Sequence, residues 1–131
     1  MKLVIPGLPP SVNHVWKHTR SGKHYSLPEK REFWEKMKLA LREHGEVCVC
    51  GKEFEVEILV RLGKGDRRDV DASAKVVLDG LQKCGLFCNP QGEEVSDSYV
   101  TRLVMEKIRS EGRSETEIYV SERKQPKVIL A

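Results

Sequence analysis

Apolar and polar residues alternate most cleanly where Phe54, Val56, Ile58 and Val60 are interleaved with Glu53, Glu55, Glu57 and Leu59. A two-residue period sends successive side chains to opposite faces, so this segment is expected to be a strand with one face buried. Leu3-Val4-Ile5 is a short apolar run closed by Pro6-Gly7 and followed by Pro9-Pro10, which reads as a buried strand leading into a fixed, extended loop. Residues 98–108 and 117–120 read as two further strands joined around Gly112 in an antiparallel hairpin.

Helical signals separate these strands. Ser26-Leu27-Pro28-Glu29 supplies a capping serine, a proline in the first turn and a glutamate three residues on, and predicts a helix to about residue 44. Phe33, Met37, Leu39, Ala40 and Leu41 follow a helical period and set one side of it against a sheet. After the flexible basic turn Gly63-Lys64-Gly65-Asp66-Arg67-Arg68, Asp69-Val70-Asp71 opens a second helix. It carries Val76, Val77, Leu78 and Leu81 and ends before Gly85, its C-terminal glycine cap. Asn89-Pro90-Gln91-Gly92 marks a turn, and residues 11–23 have neither period. There Lys17, His18, Arg20, Lys23 and His24 lie among Trp16, Ser21, Gly22 and Tyr25, a basic loop with aromatic rings.

The pattern predicts an α+β fold: a mixed or antiparallel sheet with two main helices packed on it. With no repeat, low-complexity tract or long linker, residues 1–131 are expected to form a single small domain. A tail begins at about residue 123, and its apolar Val128, Ile129 and Leu130 are available to pack on something.

Composition changes this picture only at the margins. Hydrophobic residues at 39% suffice for one core, and 33% charged residues are too many for a membrane protein. No apolar stretch reaches the roughly 20 residues needed to span a bilayer, and the N-terminal run is too short for a signal-peptide core, so cytoplasmic residence is expected. A net charge of +3 argues weakly for a polyanionic partner, and local clustering matters more. Cys48, Cys50, Cys84 and Cys88 lack the Cys-x₂-Cys spacing common in zinc sites, which favours reduced thiols with Cys84 packed in a core. His14 and His18, four apart with His24 beyond, are not expected to hold zinc, because Pro9-Pro10 and Gly22 oppose a helix there.

Chemistry concentrates at Asp69 and Asp71. Two carboxylates two positions apart at a helix start can converge on one hard cation, and Mg²⁺ is usually held by one or two carboxylates plus substrate phosphate and water. Such an ion polarises a scissile phosphate and lowers the pKa of bound water for in-line attack. Lys75, four residues after Asp71 and followed by Asp79, would set an ammonium beside the pentacovalent phosphorus. The same residues also suit an ordinary helix start, with Asp71 as cap, Asp69 in the turn and Lys75 a surface neighbour.

The run Asp66-Arg67-Arg68-Asp69-Val70-Asp71-Ala72-Ser73-Ala74-Lys75-Val76-Val77-Leu78-Asp79-Gly80-Leu81 resembles the catalytic segment of the RusA family of Holliday junction resolvases. That segment reads basic-Asp-x-Asp-(Asn)-x₂-Lys, then Asp-x-Leu. Gly7-Leu8-Pro9-Pro10-Ser11-Val12-Asn13 is similar to the family's Pro-Pro-Ser-x-Asn, and Ser26 to Glu29 falls where its first helix begins. The resemblance spans roughly residues 3–108.

It implies a RusA-like fold and a homodimeric, Mg²⁺-dependent crossover junction endodeoxyribonuclease, with Mn²⁺ as a substitute and no small-molecule cofactor. Such an enzyme serves DNA recombination and repair, binding four-way junctions and nicking opposed strands symmetrically. A two-fold pair of identical sites meets that symmetry most simply. By the same resemblance Asp69 and Asp71 bind the metal and Lys75 is the functional lysine. Ala72 stands where asparagine is usual. The family's paired aspartates after a glycine-aromatic turn are replaced by Cys88-Asn89-Pro90-Gln91-Gly92-Glu93-Glu94-Val95, so Glu93 is the expected third metal ligand, with Glu94 and Asp97 as substitutes. Lys17, Arg20, Lys23, Lys64, Arg67 and Arg68 are the expected phosphate contacts. Trp16 could stack on unpaired bases, while Tyr25 suits the core. Because the third aspartate is missing, the alternative is a catalytically weak or inactive protein that binds branched DNA.

Overall fold

The alternation seen in the sequence becomes strand β5 (Phe54–Leu62), whose Phe54, Val56, Ile58, Val60 and Leu62 are all buried. The computed structural model describes residues 1–10, 16–18, 24–26, 28–45, 48–65, 73–125 and 127–130, with backbone alone for 16–18 and 24–26. β5 pairs along its length with β7 (Val100–Arg109), in parallel, and with β8 (Glu115–Glu122), antiparallel. β1 (Lys2–Pro6) adds antiparallel to β8, giving the mixed order β1-β8-β5-β7. With two helices among the described residues the class is α+β.

The expected hairpin of the last two strands does not form, because β5 lies between them. Residues 110–114 cross the end of β5 instead of turning back tightly. Leu62 accepts from the Ser110 amide at 2.8 Å, and the Gly63 amide donates to Ser114 Oγ at 2.8 Å. The crossing is so close that a Cβ on Gly63 would sit 2.8 Å from the Ser114 nitrogen and 2.9 Å from the Gly112 oxygen.

A parallel pair needs a crossover of a dozen or more residues, and α2 (Ala74–Lys83) supplies it between β5 and β7. The helix ends as its glycine predicts. The Gly85 amide donates to Gln82 at 2.9 Å, the Leu86 amide to Leu81 at 3.1 Å, and Gly85 has φ +71. These are the two bonds of a Schellman termination, sealed by the buried Leu81 and Leu86.

α1 (Pro28–His44) has proline in its first position. Ser26, expected to cap it, is instead the last residue of β3 (His24–Ser26), which pairs with β2 (Trp16–His18). The basic loop thus contains a short hairpin. On α1 the buried stripe is Lys30, Phe33 and Met37, with Trp34 and Leu41 packed beside it, whereas Leu39, assigned to the apolar side, is 55% exposed. The stripe follows i, i+3, i+4, i+7 from Lys30, and Leu39 falls off it.

Phe87 and Cys88 form β6 (Phe87–Cys88), parallel to β4 (Val49–Cys50). Val128, Ile129 and Leu130 stand exposed at 75%, 93% and 91%, so the described part of the chain does not cover them. Among the described residues no helix is long and apolar enough to cross a membrane.

Candidate functional site

β5 and α2 follow one another in the β5-α2-β7 crossover, so the molecule has two ends. The carboxyl end of β5 adjoins the start of α2, and the amino end of β5 adjoins the finish of α2. The second adjacency is direct, since the rings of Phe54 and Phe87 stand 5.2 Å apart.

Of the residues the sequence singled out, Asp69, Asp71, Arg67, Arg68, Arg20 and Lys23 lie outside the described residues, and Lys17 has only its backbone described, opposite Tyr25 in the β2–β3 ladder. Lys64 is exposed in the turn leaving β5, beside Gly65 at φ +81. Lys75 is exposed in the first turn of α2, with its ammonium 3.4 Å from each carboxylate oxygen of Asp79. A solvent-exposed i, i+4 pair contributes only about 0.3–0.5 kcal/mol, so a phosphate can displace it readily. Ser73, fully buried, occupies the position before the helix, where the sequence had suggested Asp71 as a cap.

Glu93, Glu94 and Asp97 belong to the other end. The Asn89 side-chain oxygen accepts from the amides of Gln91 and Glu93 at 3.0 and 2.9 Å, closing a tight loop after β6. Glu94 then bridges back to Cys88, its carboxylate over Gly85, and the Asp97 amide donates to Gln82 Oε1 at 2.9 Å. These acids line the finish of α2, while Lys75 sits at its start. Asp97 is anchored at Gln82 and Glu94 over Gly85, seven and ten residues beyond Lys75, which is about 10–15 Å at the α-helical rise, so the structure does not bring Lys75 together with either acid.

Two groups escaped the sequence reading. Arg109, the partner of Leu62 in the parallel ladder, and Arg113, in the connection that crosses β5, are both exposed at the Lys64 end. Glu111 and Glu115 share this end, and Arg61 is held by Glu117 at 3.2 Å and Glu115 at 3.6 Å. Only the parallel pairing of β7 with β5 reveals these arginines.

Trp34 is the second. Its indole nitrogen donates to the Val76 carbonyl at 3.0 Å, and the ammonium groups of Lys30 and Lys83 each lie 4.5 Å from its ring centroid. Burial, then the Lys83 ammonium, lower the Lys30 pKa, while Asp79 opposes them. Beside Trp34 a groove of about 300 Å³ between the helices is lined by Arg31, Lys38, Lys83 and Cys84 among others. Burial raises the Cys84 pKa, with the Lys38 ammonium opposing it.

The remaining cysteines do what their spacing did not suggest: Cys48, Cys50 and Cys88 converge, with their sulfurs all within 4.8 Å of one another. No protein-family model matches the chain, and a search of curated proteins finds no match to it.

Proposed function

We propose that this chain is a Mg²⁺-dependent endodeoxyribonuclease of the RusA type, a cytoplasmic homodimer that resolves Holliday junctions by symmetric nicking in DNA recombination and repair. The observation that carries the reading is the course of the chain around the motif. Its acidic segment belongs to the connection that leaves the carboxyl end of β5, and its lysine is exposed on the first turn of α2. Open α/β sheets commonly bind ligands outside the carboxyl ends of their parallel strands; the single parallel pair here offers one such end by analogy, and a helix start favours the negative charge of phosphate.

Asp69 and Asp71 would hold the ion, a donor set that suits Mg²⁺ when water and phosphate complete it. The ion supplies a polarised phosphate and an activated water. Lys75 acts through its charge alone: its ammonium leaves Asp79 for the phosphate that gains charge in the transition state. Lys64, Arg109 and Arg113 anchor the flanking backbone.

A second reading, a junction-binding protein without cleavage, is favoured by one observation: Glu94 and Asp97 are anchored about 10–15 Å along α2 from Lys75. The two separate in one assay, nicking of a labelled four-way junction against linear duplex in Mg²⁺ or EDTA. Paired Mg²⁺-dependent nicks near the crossover, absent from Asp71→Asn while binding is kept, support the nuclease. Binding without nicks supports the second reading, and cleavage unchanged by Asp71→Asn removes the assigned site.

A further inference from the structure

At the amino end of β5, far from Lys75, β4 and β6 form a parallel ladder of two residues each, with Val49 opposite Phe87 and Cys50 opposite Cys88. The ladder is held by the Val49 amide donating to Leu86 at 2.7 Å and the Gly51 amide donating to Cys88 at 3.0 Å. Val49 and Phe87 pack into the core. The alternation of side chains along a strand then puts Cys48 and Cys50 on a common side of β4, beside the register partner Cys88.

Packing does not account for this grouping, because Cys50 is exposed and Cys48 half-buried, and only Cys88 is buried. The sulfurs of Cys48 and Cys50 are 3.7 Å apart. A disulfide needs about 2.05 Å, whereas two thiolates on a tetrahedral zinc, each bonded at about 2.3 Å, stand about 3.8 Å from one another.

We propose that Cys48, Cys50 and Cys88 form a thiolate site for one zinc-class ion, with the fourth coordination place taken by solvent. Binding converts three thiols to thiolates and releases their protons to water, with no change of oxidation state. Thiolate donors select this class of ion and reject Mg²⁺. The ion ties β4 to β6, a two-stranded element too short to be stable by its own hydrogen bonds, and through Phe87 it braces the finish of α2.

The test uses the full chain, reduced and stripped of metal, titrated with Co²⁺ and then Zn²⁺. The expected result is one Co²⁺ per chain with an intense thiolate-to-cobalt band in the near ultraviolet, bleached by Zn²⁺, and a higher Tm with Zn²⁺ than without. Cys84→Ser keeps all of these, since its sulfur lies outside the group. Cys50→Ser, at an exposed position that the fold tolerates, weakens Co²⁺ binding by more than about 100-fold, beyond the roughly 10–100-fold contributed by an outer-sphere partner. Circular dichroism checks that this variant is folded. No thiolate band at one equivalent of Co²⁺ in the reduced chain, or a folded Cys50→Ser that binds as tightly as the unaltered chain, overturns the proposal. Junction cleavage enters neither readout.

Discussion

Gly80 offers a test in which ordinary helix propensity and the packing of this fold predict opposite signs. Glycine in a helix interior is normally worse than alanine by about 1 kcal/mol, so Gly80→Ala in α2 should stabilise an isolated helix. Here the added Cβ would lie 2.7 Å from Trp34 Cδ1, 2.8 Å from Trp34 Nε1 and 3.0 Å from Met37 Sδ. The methionine can swing away, but the indole is fixed by its 3.0 Å bond to Val76 and flanked by two ammonium groups. Relief therefore requires α1 and α2 to separate. Overpacking of this kind destabilises by about 1–3 kcal/mol, and loss of the indole hydrogen bond, about 1 kcal/mol, roughly offsets the propensity gain. The expected net effect is a destabilisation of about 1–3 kcal/mol, or about 4–12 °C in Tm for a chain of this size. Urea unfolding followed by circular dichroism measures it, and tryptophan fluorescence reports the displaced ring. In a Trp34→Phe background the penalty should shrink by more than about 0.5 kcal/mol, the usual limit of additivity between independent sites. A Gly80→Ala chain as stable as the unaltered one, or more so, would refute the close approach of the two helices.

Glu117 is nearly buried, and its carboxyl is held below the usual carboxylate range, first by the Tyr119 hydroxyl at 2.8 Å and also by Arg61, while burial opposes them. A lowered folded pKa gives stability that is complete above the ordinary glutamate range and lost as pH falls through the folded value. Glu117→Gln should therefore lower Tm at neutral pH, with a difference that narrows on acidification; a difference constant with pH would show that the ionised carboxylate contributes nothing. The joint change Arg109→Gln with Arg113→Gln should weaken junction binding and flatten its dependence of log K on log salt by up to about 1.8, at about 0.9 for each phosphate no longer neutralised. An unchanged slope would remove that end of the sheet from the proposed DNA interface.

Elements with a local period were legible in the sequence. β5 declares itself through five alternating buried positions, and α2 through Val76, Val77, Leu81 and its terminating Gly85. Partner choice was not legible. Residues 98–108 and 117–120 look like neighbours because they are consecutive, yet each finds a better-buried neighbour in β5. The ladders β2–β3 and β4–β6, of three and two residues per strand, hold too few positions to show a period. On α1 the true stripe runs through Lys30, an amphipathic residue whose stem packs while its ammonium meets Trp34. A reading based on apolar letters passes over it and admits Leu39.

The same division explains the sites. Lys64 and Lys75 stand out in the sequence because a basic turn and the motif carry them, whereas Arg109 comes to the Lys64 end through the parallel register of β7 on β5 and Arg113 through the connection that follows. Zinc-binding spacings such as Cys-x₂-Cys describe ligands delivered by one tight loop. Cys50 and Cys88 instead meet across a parallel ladder, and parallel partners are necessarily remote in sequence because a crossover separates them. That crossover is also what keeps the two proposed chemistries apart. In sequence the motif's aspartates fall between β5 and α2, whereas the three sulfurs gather beyond the finish of α2, where Glu94 also stands beside Cys88; thiolates select a soft ion there even with a carboxylate close by. A chelator selective for zinc would then act on the β4–β6 end and leave untouched the Mg²⁺-dependent cleavage proposed for Asp69, Asp71 and Lys75.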